Sequence, residues 1–369
     1  MRNTPLSVAV TFPQQHEAVR WAEALARACA ARSIHATVWP WHADPQHPDP
    51  QRPDLQHPDP WHPDPQHPDR LHADPTTHAP VATGGERSAT ERPHAPAVPS
   101  ADYALGWHAP QRFFAAHPRL RAFFNAGAGV DAILSSGAVP ASLPIYRLED
   151  AGMGVQMAQY CALECLQRIG HRKAYAADQK QRRWQPRRPL AANDFPVGIL
   201  GMGVLGTQVA ATLRQLGFPV HGFRRSPGGP QQDCFAGPAQ WDAFLAATRI
   251  LIVLAPLTPA TRGIIDASAL ARLMPEAWLI NVARGPLVVE RDLVAALDQG
   301  QLAGATLDVF ATEPLPEDSP LWRHPKVQIT PHVAACTLLE SSVDQVAAKL
   351  AALLQGREPS GRVDPLRAY

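Results

Sequence analysis

The sequence predicts an α/β protein built from two domains, each with a parallel sheet, and three observations carry that expectation. Short apolar runs alternate with segments of helical period along most of the chain. One of those runs passes directly into a spaced-glycine turn that opens a helix. The 369 residues suffice for two domains of about 100–200 residues each, and the 45% that are hydrophobic can fill two cores.

In chain order, Leu6–Phe12 is the first strand; its apolar run is too short for a signal-peptide core and no small-residue cleavage pattern follows. From Gln14 to Arg32, Val19, Ala22, Leu25, Ala26 and Cys29 recur at helical spacing, and a strand Ile34–Trp39 follows. The composition then breaks. Much of the excess among the 39 prolines falls in a five-residue unit repeated from His42 to Thr76, beginning His42-Ala-Asp-Pro-Gln46 and His47-Pro-Asp-Pro-Gln51. One or two prolines in every unit exclude helix and sheet interiors, so residues 40–100 are expected to form a disordered, Pro/His/Asp-rich insertion. Its histidines (His42, His47, His57, His62, His67, His72) would bind metal only weakly in a flexible tract, and no metal site is expected.

Beyond the insertion, Asp102–Trp107 and Leu120–Phe124 read as strands, the second entering Asn125-Ala-Gly-Ala-Gly-Val-Asp131. An amphipathic helix is expected over Gly154–Ile169, and the basic stretch His171–Arg188 reads as an exposed connection ended by Pro186 and Pro189. The formal net charge of +1 gives no electrostatic case for nucleic acid or an anionic membrane, and nowhere do about 18 apolar residues run together as a membrane span would require. The five cysteines (Cys29, Cys161, Cys165, Cys234, Cys336) are odd in number and lack metal-ligand spacing, which suits reduced thiols in the cytoplasm.

The next strand, Val197–Leu200, leads into Gly201-Met-Gly203-Val-Leu-Gly206 and then a helix pattern (Val209, Ala210, Leu213, Leu216). The three glycines suit a tight turn, close approach of a pyrophosphate and helix-on-strand packing, and the helix N-terminus faces the phosphate charge. A lone match would be weak; the flanking strand and helix, with a second strand at Pro219–Phe223, make it a dinucleotide site. That second strand ends in Phe223-Arg224-Arg225-Ser226, where an acidic residue would select NAD. Two guanidinium groups and a hydroxyl suit a 2′-phosphate instead, so NADPH is expected, with NADH weaker.

Three further strands follow: Ile250–Leu254, Trp278–Val282 and Ala305–Val309. The unbroken apolar run of the first fits a parallel sheet covered on both faces. Arg284 lies just past the second, Asp308 and Glu313 at and after the third, and Val327–His332 ends in a histidine. Ligands of such sheets bind outside the carboxyl ends of the strands, so these side chains would meet in one crevice. Their types are those that reduction of a 2-keto acid needs. His332 gives a proton to the developing alkoxide, Glu313 orients the imidazole and favours its charged form, and Arg284 binds the substrate carboxylate while polarising the carbonyl.

Asn281-Val-Ala-Arg-Gly285, Leu307-Asp-Val-Phe310 with Glu313-Pro314, and Thr330-Pro-His332 resemble the signatures of the D-2-hydroxyacid dehydrogenase family. The resemblance covers nearly all the chain outside residues 40–100. It implies two Rossmann-like domains: a flavodoxin-like substrate domain over 1–147 completed by 335–369, and a dinucleotide-binding domain over 148–334. It maps the family's catalytic residues onto Arg284, Glu313 and His332. Its carboxylate-binding loop maps onto Ala128 and Gly129, with Trp107 as a candidate pocket wall. Cofactor contacts fall on Gly201, Gly203, Val204, Leu205, Gly206, Arg224, Arg225, Ser226, Pro256, Thr261, Ala283 and, at the carboxamide, Asp308. Ala101–His108, Arg147–Asp150, Gly152–Gly154 and Glu313–Pro316 carry a narrower likeness to the bacterial glyoxylate/hydroxypyruvate reductase A group. A cytoplasmic homodimer acting on glyoxylate and hydroxypyruvate is the expectation that follows. A different 2-hydroxyacid, another hydride donor such as formate, or a dinucleotide-sensing or metal-buffering protein are the competing readings.

Overall fold

A computed structural model describes residues 6–41, 100–107, 109–226, 234–365, 367 and 369. The expectation of an insertion over 40–100 therefore falls, apart from Pro40, Trp41 and Ser100, outside the described residues, as does His108.

The first sheet is formed by β1 (Leu6–Thr11), β2 (Ala36–Pro40), β3 (Tyr103–Gly106), β4 (Ala122–Asn125) and β5 (Ile145–Arg147). Helix α1 (Gln15–Ala31) lies between β1 and β2, α2 (Gln111–Ala116) between β3 and β4, and α3 (Asp131–Ser135) between β4 and β5. All pairings are parallel and the spatial order is β2-β1-β3-β4-β5, the flavodoxin-like order. Successive β1 residues divide between two cores: Val8 and Val10 face a cluster with Trp21, Leu25 and Phe124, while Ala9 faces one with Phe113, Phe123 and Ile133. That two-residue alternation is why both faces of the sheet are covered by helices.

Helix α4 (Met153–Ile169) crosses to the second sheet, and α5 (Arg172–Lys180) follows. The second half comprises β6 (Val197–Leu200), α6 (Val204–Gln215), β7 (Val220–Arg224), β8 (Cys234–Ala236), α7 (Trp241–Ala246) and β9 (Ile250–Val253). It continues with α8 (Ala267–Ala271), β10 (Ala277–Asn281), α9 (Glu290–Asp298), β11 (Leu302–Leu307) and β12 (Val327–Ile329). The seven strands are parallel in the order β12-β11-β10-β9-β6-β7-β8, so the sequence order reverses between β6 and β9. Ile250 and Ile252 face one core and Leu251 and Val253 the other, all fully buried. Each such side chain contributes about 1.5–3 kcal/mol on leaving water. The two-sheet α/β expectation holds.

Two segments depart from the sequence reading. The basic stretch read as an exposed connection contains α5, because Lys173-Ala-Tyr-Ala-Ala177 is a good helix former and Asp178 at its end draws in Arg183 and Arg187. The tail, given no element from sequence, forms α10 (Leu339–Leu354), whose Val343, Val346, Ala347 and Leu350 enter the core beside α1. Cys161 and Cys165 lie one turn apart on α4 inside the second core, where burial pushes both thiols up. Among the described residues no helix is long and apolar enough to cross a membrane.

Candidate active site

Between the two sheets, at the carboxyl ends of their strands, lies a cleft of about 1470 Å³. That exceeds the about 300–1,000 Å³ of an ordinary small-molecule pocket, leaving room for a dinucleotide and a small acid together.

The glycine turn after β6 opens onto it. Gly201 has φ +111°, and a Cβ there would sit 2.6 Å from the backbone of Leu254 and Ala255. A Cβ on Gly206 would stand 2.1 Å from the Gly201 carbonyl, so α6 can lie this close to its strand only with glycine. At Gly203 the same atom would meet nothing within 4 Å; that face looks into the cleft. Val204 and Leu205, the first residues of α6, also line the cleft, and the first turn carries no acidic side chain. Open space, bare backbone and a helix N-terminus fit a pyrophosphate. Pro256, Thr261, Ala283 and Asp308 extend the same wall, with Thr261 Oγ1 donating to the Pro256 carbonyl at 2.7 Å.

At the far end of β7, Arg224 and Arg225 line the cleft, while Ser226 is exposed and lies outside the lining. Arg224 Nε donates to Cys234 Sγ on β8 at 3.1 Å.

Beyond β10, β11 and β12 the three candidate catalytic side chains meet in the cleft. His332 Nδ1 and Glu313 Oε2 are 2.7 Å apart, and Glu313 Oε1 accepts from the Phe310 amide at 2.9 Å. Burial works to raise the Glu313 carboxyl, but the bonds from His332 and Phe310, with the His332 and Arg284 charges, hold it below the usual carboxylate range. His332 takes a left-handed backbone conformation (φ +58°), which a non-glycine residue keeps only when its surroundings impose it. Asp308 does so. Its carbonyl accepts from the His332 amide at 2.7 Å, and its carboxylate accepts from Thr330 Oγ1, the Val333 amide and the Ala334 amide at 2.5, 2.8 and 2.9 Å. With the Thr330 proton committed there, Tyr160 is the donor in its 2.6 Å contact with Thr330 Oγ1. Asp308, placed by the family likeness at the cofactor, is thus also the post on which the histidine loop is tied.

Arg284 is positioned chiefly by Asp131 and Asn281, to which sequence reading gave no role. Its Nε donates to both oxygens of Asp131 at 3.0 and 3.2 Å, and its Nη1 to the Ala283 carbonyl at 2.7 Å. Asn281 grips the turn from below, accepting from the Ala283 amide and donating to the Arg284 carbonyl. The guanidinium lies against Gly129, where a Cβ would fall 1.8 Å from Nη2. Asn125 shapes that loop by donating to the Gly127 and Gly129 carbonyls, both at 2.9 Å, and Trp107 packs on Gly127 while lining the cleft. Gly129 is therefore in direct contact with Arg284, and both line the cleft beside Ala128. The only sequence signal for Asn125 and Asp131 was their place at the two ends of the glycine-rich run.

Residues 162–334 match the family model for the D-isomer specific 2-hydroxyacid dehydrogenase, NAD binding domain. The chain is 48% identical over 277 residues to a glyoxylate/hydroxypyruvate reductase A of Serratia proteamaculans and 47% identical to one of Yersinia enterocolitica, each match covering 73% of this chain and 88% of the relative. Among solved structures it is similar to a D-isomer specific 2-hydroxyacid dehydrogenase from Xanthobacter autotrophicus in complex with NADPH and MES (32% identity, TM-score 0.77, covering 98% of this chain and 99% of that one). It is similar also to an NADPH-dependent glyoxylate/hydroxypyruvate reductase from Sinorhizobium meliloti in complex with NADP and sulfate (30% identity, TM-score 0.75, covering 99% of this chain and all of the other).

Proposed function

Because the chain belongs to the D-isomer specific 2-hydroxyacid dehydrogenase family, we propose that it reduces small 2-keto acids, glyoxylate and hydroxypyruvate foremost, with NADPH. The observation that carries this reading is the meeting of Arg284 with the His332–Glu313 pair in a cleft whose other end is a dinucleotide turn. When bound, NADPH supplies the hydride. The backbone amides of Ala128 and Gly129, with the Arg284 guanidinium packed beside Gly129, receive the substrate carboxylate. Arg284 also draws charge toward the carbonyl oxygen, the atom that becomes an alkoxide. His332, with Nδ1 engaged by Glu313, delivers its proton to that oxygen from Nε2. Glu313, its carboxyl held below the usual range by its neighbours, keeps the imidazole oriented through Nδ1.

Arg224 and Arg225 support the choice of NADPH, since no acidic side chain stands at the end of β7 to prefer a free ribose hydroxyl. We place the domain division at 147/148 and 334/335, with the tail returning to the substrate side, as the packing of α10 against α1 supports. A homodimer in the cytoplasm completes the proposal. Trp184, 98% exposed, and Val155 and Leu163 on the outer face of α4 offer apolar surface for a second copy. None of the five cysteines forms a disulfide, which suits a reducing compartment. Light scattering that returned a monomer's mass would contradict the dimer.

The test of function is absorbance of reduced nicotinamide with purified protein and glyoxylate. Rapid oxidation of NADPH, slower with NADH, is the expected result; no oxidation of either would remove the assignment.

A further inference from the structure

At the adenosine end of the cleft a segment from the far end of the chain crosses between the two sheets. The Val363 amide donates to the Ile145 carbonyl at 2.8 Å and Arg362 forms an antiparallel bridge with Tyr146, so the segment is stitched to β5. The Asp364 amide donates to the Tyr369 carbonyl at 3.1 Å, which turns the segment back on itself. The Tyr369 ring packs beside the core cluster of the five-stranded sheet, with Trp39 and Trp41 also at its edge. From that side it reaches Arg225, the residue just past β7 of the seven-stranded sheet. The guanidinium carbon lies 5.3 Å from the ring centroid, Nη2 is 3.4 Å from the phenol oxygen, and both residues line the cleft.

We propose that Tyr369 is a cofactor-positioning residue: it seats the Arg225 guanidinium for a ribose 2′-phosphate and sets its own hydroxyl beside that site. The five-stranded half of the molecule thereby takes part in choosing NADPH over NADH. The proposal rests on the reading of Arg224 and Arg225 given above. Contact through the ring face leaves the edge of the guanidinium, with its N–H donors, for an anion. A phosphomonoester offers several acceptor oxygens, enough for two arginines and a phenol O–H together. Arg225 is otherwise an exposed side chain at a strand end, and an aromatic seat removes rotamers that phosphate binding would have to freeze. An NADH ribose hydroxyl gains nothing from either group, so the effect is confined to the phosphorylated cofactor.

The experiment is fluorescence titration of the full chain with NADPH and with NADH, read as Kd, beside steady-state kinetics in which KM should follow Kd, comparing wild type, Tyr369→Ala, Tyr369→Phe and Arg225→Ala. Tyr369→Ala is expected to raise KM for NADPH about three- to tenfold while leaving KM for NADH within about twofold, the scale of one exposed cation–ring contact and one hydrogen bond. Tyr369→Phe keeps the seat and loses the hydroxyl, so its NADPH KM should fall between wild type and alanine, and its NADH turnover reports that the fold is intact. Equal losses with both cofactors in the alanine and phenylalanine variants, or no change in either, overturn the proposal. If Arg225→Ala abolishes the NADPH preference and neither Tyr369 variant shifts it, only the role of Tyr369 falls. If Arg225→Ala leaves the preference unchanged, the 2′-phosphate reading of the arginines falls, and this proposal with it.

Discussion

The two ends of the cleft are built differently. At the catalytic end each side chain is tied by a neighbour: His332 by Glu313, its backbone by Asp308, Arg284 by Asp131, and the Arg284 turn by Asn281 at the end of its own strand. At the adenosine end, Arg224 leans on Cys234 and Arg225 is exposed, resting on Tyr369. The contrast follows from what each end has to do. Proton and hydride transfer depend on placement to within about 0.5 Å, which only a pre-built network gives. A phosphate can be met by charged side chains that reach for it. Rigidity is concentrated where geometry sets the rate, and reach is left where charge sets affinity.

The comparison predicts a graded set of responses. Largest is His332→Ala, which should lower kcat about 10²–10⁴-fold with NADPH affinity unchanged, as read by turnover beside cofactor fluorescence titration. Arg284→Lys should cost about a hundredfold in kcat/KM, because an ammonium cannot replace the fork on a carboxylate. Asp131→Asn should cost about tenfold, mostly as KM for the keto acid, since it weakens the hold on Arg284 without touching the cofactor. Equal KM values for wild type and Asp131→Asn would show that Arg284 needs no such anchor. Arg224→Ala, at the other end, should raise KM for NADPH about tenfold and leave kcat close to wild type; a collapse of kcat would erase the distinction between the ends.

Smallest is an effect away from both ends. Glu164 is buried on α4, where desolvation raises its carboxyl above the usual range and the Thr306 hydroxyl and the Lys173 charge offset this only in part. A carboxyl raised in the folded state contributes its stability below the unfolded value, about 4.3, and loses it as pH rises through the folded value. Glu164→Gln should therefore stabilise the protein by about 1 kcal/mol at pH 7–8 and by nothing near pH 4, measured as thermal midpoints across that range.

Much of this was legible in the residues. Strands of a parallel sheet show as short, largely apolar runs, and Arg284, Glu313 and His332 each lie just past one, so their convergence could be inferred before any coordinates. The glycine turn was legible because its strand and helix flank it directly. What stayed hidden depends on long-range meetings. Asp131 and Arg284 are 153 positions apart and touch only because two sheets face each other across a cleft. Arg225 and Tyr369 are 144 apart for the same reason. Helix α10 carried a readable period in Val343, Val346, Ala347 and Leu350, yet its place against α1 is a tertiary fact. Asp308 shows a further gap: residue type and position suggested a cofactor contact, but not the four hydrogen bonds, three of them to its carboxylate, by which it holds the histidine loop.

The central claim is that this cleft reduces a 2-keto acid with the handedness of its family, and product analysis tests it most directly. Wild-type protein, NADPH and hydroxypyruvate should yield glycerate that chiral chromatography resolves as the D-isomer alone. L-glycerate, a racemic product or no glycerate at all would contradict the account.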